Sequence, residues 1–133
     1  MKIVLDTNVI VAAFASRGLC KDVFECCLYE HKIVASKPLI SEVSRISQTK
    51  IKLPLVKTQE ICRFIELESR IVIPVVVSKK ECRDAGDLKV LGTALSAEAD
   101  SIVSGDKDLL VLKKFKNIPI MSPRQFWEFA KKG

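Results

Sequence analysis

Short β-branched runs alternate along the chain with segments of helical period. Lys2 to Leu5 is such a run and ends in Asp6; others are Lys32–Ala35, Arg70–Val77, Ser101–Ser104 and Asn117–Ile120. Between them the apolar residues recur at three- and four-residue steps. Ser16 is placed to cap a helix carrying Leu19, Val23, Cys26 and Cys27 inward. Ser36 and Pro38 open one with Leu39, Val43 and Ile46 on a single stripe. Lys57 to Glu68 aligns Ile61, Phe64 and Ile65, and Asp87 to Glu98 aligns Leu91, Ala94 and Leu95. Ser122-Pro123-Arg124-Gln125 reads as a capping box with proline at the first helical position, starting a last helix with Phe126, Trp127 and Ala130. No gap offers the two-residue turn of a hairpin, so crossover connections are expected. The pattern predicts an α/β sandwich around a mostly parallel sheet of four to five strands. The polar stretch Gln48–Val56, closed by Pro54, is expected to be the least ordered.

At 133 residues the chain fits one domain, 1–133, and its 48% hydrophobic content supplies a core. No apolar run approaches the ~18 residues of a membrane span. The start turns acidic at Asp6, too early for a signal peptide, so a cytoplasmic protein is expected. Five cysteines, an odd number in no zinc-like spacing, read as reduced thiols that fill the core. The net charge of +6 attracts a polyanion but is also what an ordinary solvated surface gives. Its basic residues gather at Lys50, Lys52 and Lys57, at Lys79, Lys80 and Arg83, and at Lys113, Lys114 and Lys116. Aromatics at 6% are too few for a base-stacking platform.

The candidate chemistry lies in four carboxylates. Asp6 and Asp106 each follow a strand-like run, and ligands of open α/β sheets bind beyond such strand ends. On a helical wheel Glu42 falls about 60° from Leu39 and about 40° from Ile46, at the rim of the apolar stripe. Asp87 falls about 40° from Leu91 and about 20° from Ala94, within the stripe itself. A carboxylate aimed at the core is costly unless it is paired or bound to metal. Taken singly, each acid also has a plain explanation. Asp6 and Asp106 suit helix N-caps, Asp87 a first-turn acid, and Glu42 a rim charge. Taken together they would repel one another, and Mg²⁺ or Mn²⁺, which prefer oxygen ligands, would relieve that repulsion.

Ile3-Val4-Leu5-Asp6-Thr7-Asn8-Val9, Glu42, Asp87-Leu88-Lys89-Val90-Leu91-Gly92-Thr93-Ala94 and Val103-Ser104-Gly105-Asp106-Lys107-Asp108-Leu109 follow one another in an order that resembles the PIN-domain family. The resemblance extends over nearly the whole chain, and the subgroup most similar to it is the toxin components of toxin–antitoxin systems of the VapC type. It implies a three-layer α/β/α sandwich and a Mg²⁺- or Mn²⁺-dependent ribonuclease. It also implies that Asp6, Glu42, Asp87 and Asp106 are the metal-site acids. Thr7, Asn8 and Ser104 would support them, and Asp108 would be peripheral or a substitute ligand. An RNA substrate, an antitoxin protein covering the site and a homodimer are implied as well. The chain departs from the subgroup at Arg83–Leu88, where Ala85, Gly86 and Leu88 stand in places that often carry acids; Asp84 would compensate. The alternative is a non-catalytic module of the same fold that binds RNA or protein. Phosphotransfer is disfavoured, because Asn8 stands where a dehalogenase-like phosphatase needs a second aspartate. With five glycines and no suitable spacing, a phosphate-binding glycine loop is disfavoured too.

Overall fold

The computed structural model describes residues 1–132. Its elements run β1 (Lys2–Leu5), α1 (Thr7–Ala15), α2 (Leu19–Glu30), β2 (Lys32–Ala35), α3 (Lys37–Thr49), α4 (Leu55–Glu68), β3 (Arg70–Ile71), α5 (Ala85–Ala97), β4 (Ser101–Val103), α6 (Lys107–Leu110), β5 (Lys114–Phe115), β6 (Ile118–Met121) and α7 (Pro123–Lys132). The strands form one sheet in the order β3-β2-β1-β4-β6-β5. β3, β2, β1, β4 and β6 are parallel, and β5 pairs antiparallel with β6.

Period-two alternation in the strands divides the core into two layers. In β1, Ile3 and Leu5 point to one face, where α1, α2, α3, α4 and α7 pack with Val9, Val23, Val43, Ile65 and Phe126. Val4 points to the other face, against Leu91 and Ala94 of α5 and Leu109 of α6. The result is the expected three-layer sandwich. All five cysteines are free thiols, and Cys27 and Cys82 are buried. Among the described residues no helix is long and apolar enough to cross a membrane.

Four local expectations are corrected. The sheet has six strands, because Lys114–Met121 folds as a hairpin that the spacing did not reveal. Its turn residues Lys116 and Asn117 both have positive φ, 49° and 70°, the backbone of a two-residue hairpin turn. Ser16 does not open α2; it ends α1, its hydroxyl donating to the Ala12 carbonyl at 3.1 Å, and α2 starts at Leu19. The run Arg70–Val77 is a strand only over Arg70–Ile71. Pro74 has no N–H for a ladder, and the chain leaves the sheet to cross α5. The loop around Pro54 is shorter than expected, since α3 continues to Thr49 and α4 begins at Leu55. The capping box at Ser122 forms as read: Gln125 N–H donates to Ser122 Oγ at 3.1 Å, and Ser122 N–H to Gln125 Oε1 at 2.9 Å.

The longest irregular stretch, residues 72–84, is strapped to α5 where that helix has a glycine. Val75 N–H donates to the Gly92 carbonyl at 3.1 Å. A Cβ added to Gly92 would meet the Val75 carbonyl oxygen at 2.2 Å and Pro74 Cβ at 3.3 Å. Alanine normally favours a helix over glycine by about 1 kcal/mol. Here the clash, at about 1–3 kcal/mol, and the lost strap outweigh that gain. Gly92→Ala should therefore lower Tm, by on the order of 5 °C in a thermal melt. A Tm that holds or rises would mean that the strap lifts off freely.

Candidate metal centre

The chain runs outward from β1 through β2 to β3 and then returns to place β4 on the other side of β1. Strand order therefore reverses between β1 and β4, and a crevice opens beyond their carboxyl ends. The pairing Leu5↔Val103 brings the two exits side by side. Asp6 follows β1 directly, and Asp106 follows β4 after Ser104 and Gly105. Asp87 comes from below, in the first turn of α5. One oxygen from each of Asp6, Asp87 and Asp106 lies within 4.8 Å of the other two.

Each acid is held by its own local structure. Asp6 caps α1, its Oδ1 accepting from Thr7 N–H at 2.7 Å, and its Oδ2 accepts from Ser104 Oγ at 2.7 Å. Ser104 Oγ in turn accepts from Asp106 N–H at 2.9 Å, so one hydroxyl ties both strand exits together. Asp106 caps α6 by accepting from Asp108 N–H at 2.8 Å. Asp84 caps α5 by accepting from Gly86 N–H at 2.7 Å. The plain capping reading and the cluster reading of Asp6 and Asp106 are therefore both true, because one oxygen caps while the carboxylate still faces the cleft.

Asp6 and Asp87 are buried, at 2% and 5% exposure, and among the described residues no ion pair involves Asp6, Asp87 or Asp106. Burial pushes the Asp6 carboxyl up from its ordinary value, against the hydrogen bonds from Ser104 and Thr7 that pull it down. Asp87 is pushed up to about 7, first by burial and then by the charges of Asp106, Asp6 and Asp84. Three hard oxygen donors, close together and in no ion pair among the described residues, fit a divalent ion of the Mg²⁺ or Mn²⁺ kind.

The remaining predicted site residues divide into two groups. Thr7, Asn8, Glu42 and Asp84 line the same cleft, of about 180 Å³, as the three aspartates. Glu42 is not in the close group; it is bound by Arg45 one turn further along α3. Asp108 turns outward to Arg83 at 3.2 Å. Sequence reasoning passed over Arg45 and Lys89, which also line the cleft with Lys50. The three-residue spacing from Glu42 to Arg45 on one helix was the available signal. It also passed over Cys82, whose Sγ lies 3.7 Å from Asp87 Oδ2. His31 caps the end of α2, and burial with the nearby N-terminal ammonium lowers its pKa.

The PIN domain family model matches residues 2–108. The chain belongs to the PIN domain family. None of the curated proteins matches this PIN domain significantly in sequence. Among solved structures it is similar to a chain of VapBC2 from Rickettsia felis, bound to a DNA fragment from their promoter. The TM-score is 0.62 at 18% identity, covering 92% of this PIN domain and 98% of that chain. It is similar also to a chain of VapBC-1 from nontypeable Haemophilus influenzae, with a TM-score of 0.63 at 14% identity, covering 93% and 99%. At these identities the likeness is one of fold.

The raised carboxyls have a consequence for stability without metal. An acid whose folded pKa exceeds its unfolded value, 3.8 here, contributes stability that is fully present below that value and lost as pH rises through the folded pKa. Chelator-treated protein should thus weaken between about pH 4 and pH 7.5. The loss should be about 1–2 kcal/mol, less than full linkage gives because the cleft is open to water. Asp87→Asn should flatten that slope and raise Tm at the alkaline end. Melts across pH in chelator check this, and a parent profile that is flat would contradict it.

Proposed function

We propose that this PIN domain is a metal-dependent endoribonuclease, hydrolysing RNA phosphodiester bonds at the Asp6–Asp87–Asp106 cleft. The reading rests above all on three carboxylates meeting at the strand-order reversal, none of them in an ion pair among the described residues. In the reaction, a water oxygen adds to phosphorus and a ribose oxygen leaves. A divalent ion, when bound, supplies positive charge at the phosphate oxygens and lowers the pKa of a coordinated water. The chain's own contribution is to hold the ligands still. Asp6 is fixed through both oxygens by Thr7 and Ser104, and Ser104 also fixes the backbone that carries Asp106. Such supporting groups orient metal ligands, and their loss typically costs ten- to a hundredfold in affinity or activity, as an order of magnitude.

The fold shared with VapBC chains supports a narrower reading, that this is the toxin of a toxin–antitoxin pair. On that reading an antitoxin covers the cleft and the toxin forms a homodimer. The alternative, a PIN-like module that binds without cutting, has its support in Ala85, Gly86 and Leu88, which leave the first turn of α5 with Asp87 as its only acid.

Single-stranded RNA incubated with Mn²⁺ or Mg²⁺ should be cleaved by the parent, and cleavage should stop with chelator. Asp6→Asn and Asp106→Asn should lower kcat/KM by more than about a hundredfold, and Ser104→Ala by about ten- to a hundredfold. Cleavage that persists in Asp6→Asn or in chelator would reject the mechanism. Absence of Mn²⁺ binding in a calorimetric titration near neutral pH would favour the non-catalytic module.

A further inference from the structure

The α3 wall of the cleft has an organisation that the three aspartates do not explain. Glu42 and Arg45 both line the cleft, and Arg45 Nε donates to Glu42 Oε1 at 2.9 Å. Arg45 Nη2 donates to the same oxygen. A guanidinium has five N–H donors, so a pair that engages two of them on one oxygen leaves three for another acceptor. The Arg45 side chain is 56% exposed, and thus accessible to a ligand entering the cleft. Lys50, just beyond the end of α3, and Lys89 of α5 supply further positive charge to the lining.

The charges in this lining set two tasks apart. Five carboxylates face three cations there, a surplus of two negative charges that a single divalent ion would balance. Glu42 already has its counter-charge, whereas Asp6, Asp87 and Asp106 have none among the described residues. A carboxylate engaged by a guanidinium is a weakened ligand for a cation. A guanidinium braced by a carboxylate is a strengthened one for phosphate, because its planar fork is already oriented.

We infer that Glu42 acts through Arg45, orienting the guanidinium to grip a phosphate of the bound RNA strand beside the one being cleaved, while the cation is held by Asp6, Asp87 and Asp106. Arg45 is then a substrate-binding residue and Glu42 a positioning residue. The inference rests on the nuclease reading for the identity of the strand. It differs from that reading's family expectation in taking Glu42 out of the set of metal acids. Lys50 and Lys89 act as point charges further along the strand.

The test uses the full chain and four variants, Arg45→Gln, Arg45→Lys, Glu42→Gln and the double change Glu42→Gln with Arg45→Gln. Binding of a fluorescein-labelled single-stranded oligoribonucleotide is read by anisotropy, with Ca²⁺ replacing Mn²⁺ so that turnover does not interfere. Mn²⁺ affinity is read by calorimetry, and KM and kcat separately. Arg45→Gln should weaken RNA binding about tenfold and raise KM in step, with kcat within about threefold. It should also reduce the slope of log affinity against log salt by about 0.7, the loss of one phosphate contact on a single strand. Arg45→Lys should restore that slope but only part of the affinity. Glu42→Gln should shift RNA binding the same way by less and leave Mn²⁺ affinity intact. The double variant should be no worse than Arg45→Gln alone. If Glu42→Gln weakens Mn²⁺ binding as Asp106→Asn does, or if Arg45→Gln binds RNA like the parent, the inference is overturned. A parent that cleaves nothing, together with an Arg45→Gln loss of RNA affinity and salt slope, would reject the nuclease reading while keeping the Arg45 grip on an RNA phosphate, without its place beside a cleaved bond.

Discussion

Mutual repulsion among buried carboxylates is the constraint around which this fold is arranged. Asp6, Asp87 and Asp106 are too close, and two of them too dry, to be charged together without help. No ion pair reaches them among the described residues, and the direct help given by the protein consists of dipoles. Asp6 and Asp106 sit at helix N-caps, and Asp87 is the third residue of α5, so all three occupy the positive ends of helices. Ser104 adds a hydroxyl that donates to one acid and accepts from the backbone of another. These contributions do not remove the cost: the carboxyls of Asp6 and Asp87 stay raised, first by burial and then by neighbouring charge.

Sheet register carries that arrangement. Because β1 and β4 are paired through Leu5 and Val103, the first residues beyond the ladder are the ones that must meet. Asp6 N–H still donates to the Val103 carbonyl at 2.9 Å, which extends the ladder up to the acid itself. A slip of one residue would exchange the faces of Ile3, Val4 and Leu5 and so disrupt both core layers at once. The hydrophobic alternation in a four-residue strand thus fixes where a carboxylate stands in the cleft.

The features legible in the sequence are those written in local pattern. Period-two runs ending in Asp6 and Asp106, the stripe Leu39–Val43–Ile46 and the Ser122 capping box each have a short-range cause. Asp87 was legible because an acid inside an apolar stripe contradicts its surroundings. What escaped depended on tertiary context or on backbone conformations with weak residue preferences. Lys116-Asn117 makes a hairpin turn without glycine, so the usual sign was missing. Pro74 and the crossing over Gly92 turned an apparent eight-residue strand into two residues and a strap. Glu42 was placed on the correct side of its helix, but its nearest companion is Arg45, and a helical wheel gives no rotamers.

The Ser104 bridge has a consequence for how such a protein is made and kept. A metal cavity assembled only by its ion would leave the newly synthesised chain dependent on ion supply to fold. Here the strand exits are joined by an uncharged hydroxyl, and each core layer is closed by apolar side chains. The positions of Asp6 and Asp106 are thus tied by a neutral group and by strand pairing rather than by charge.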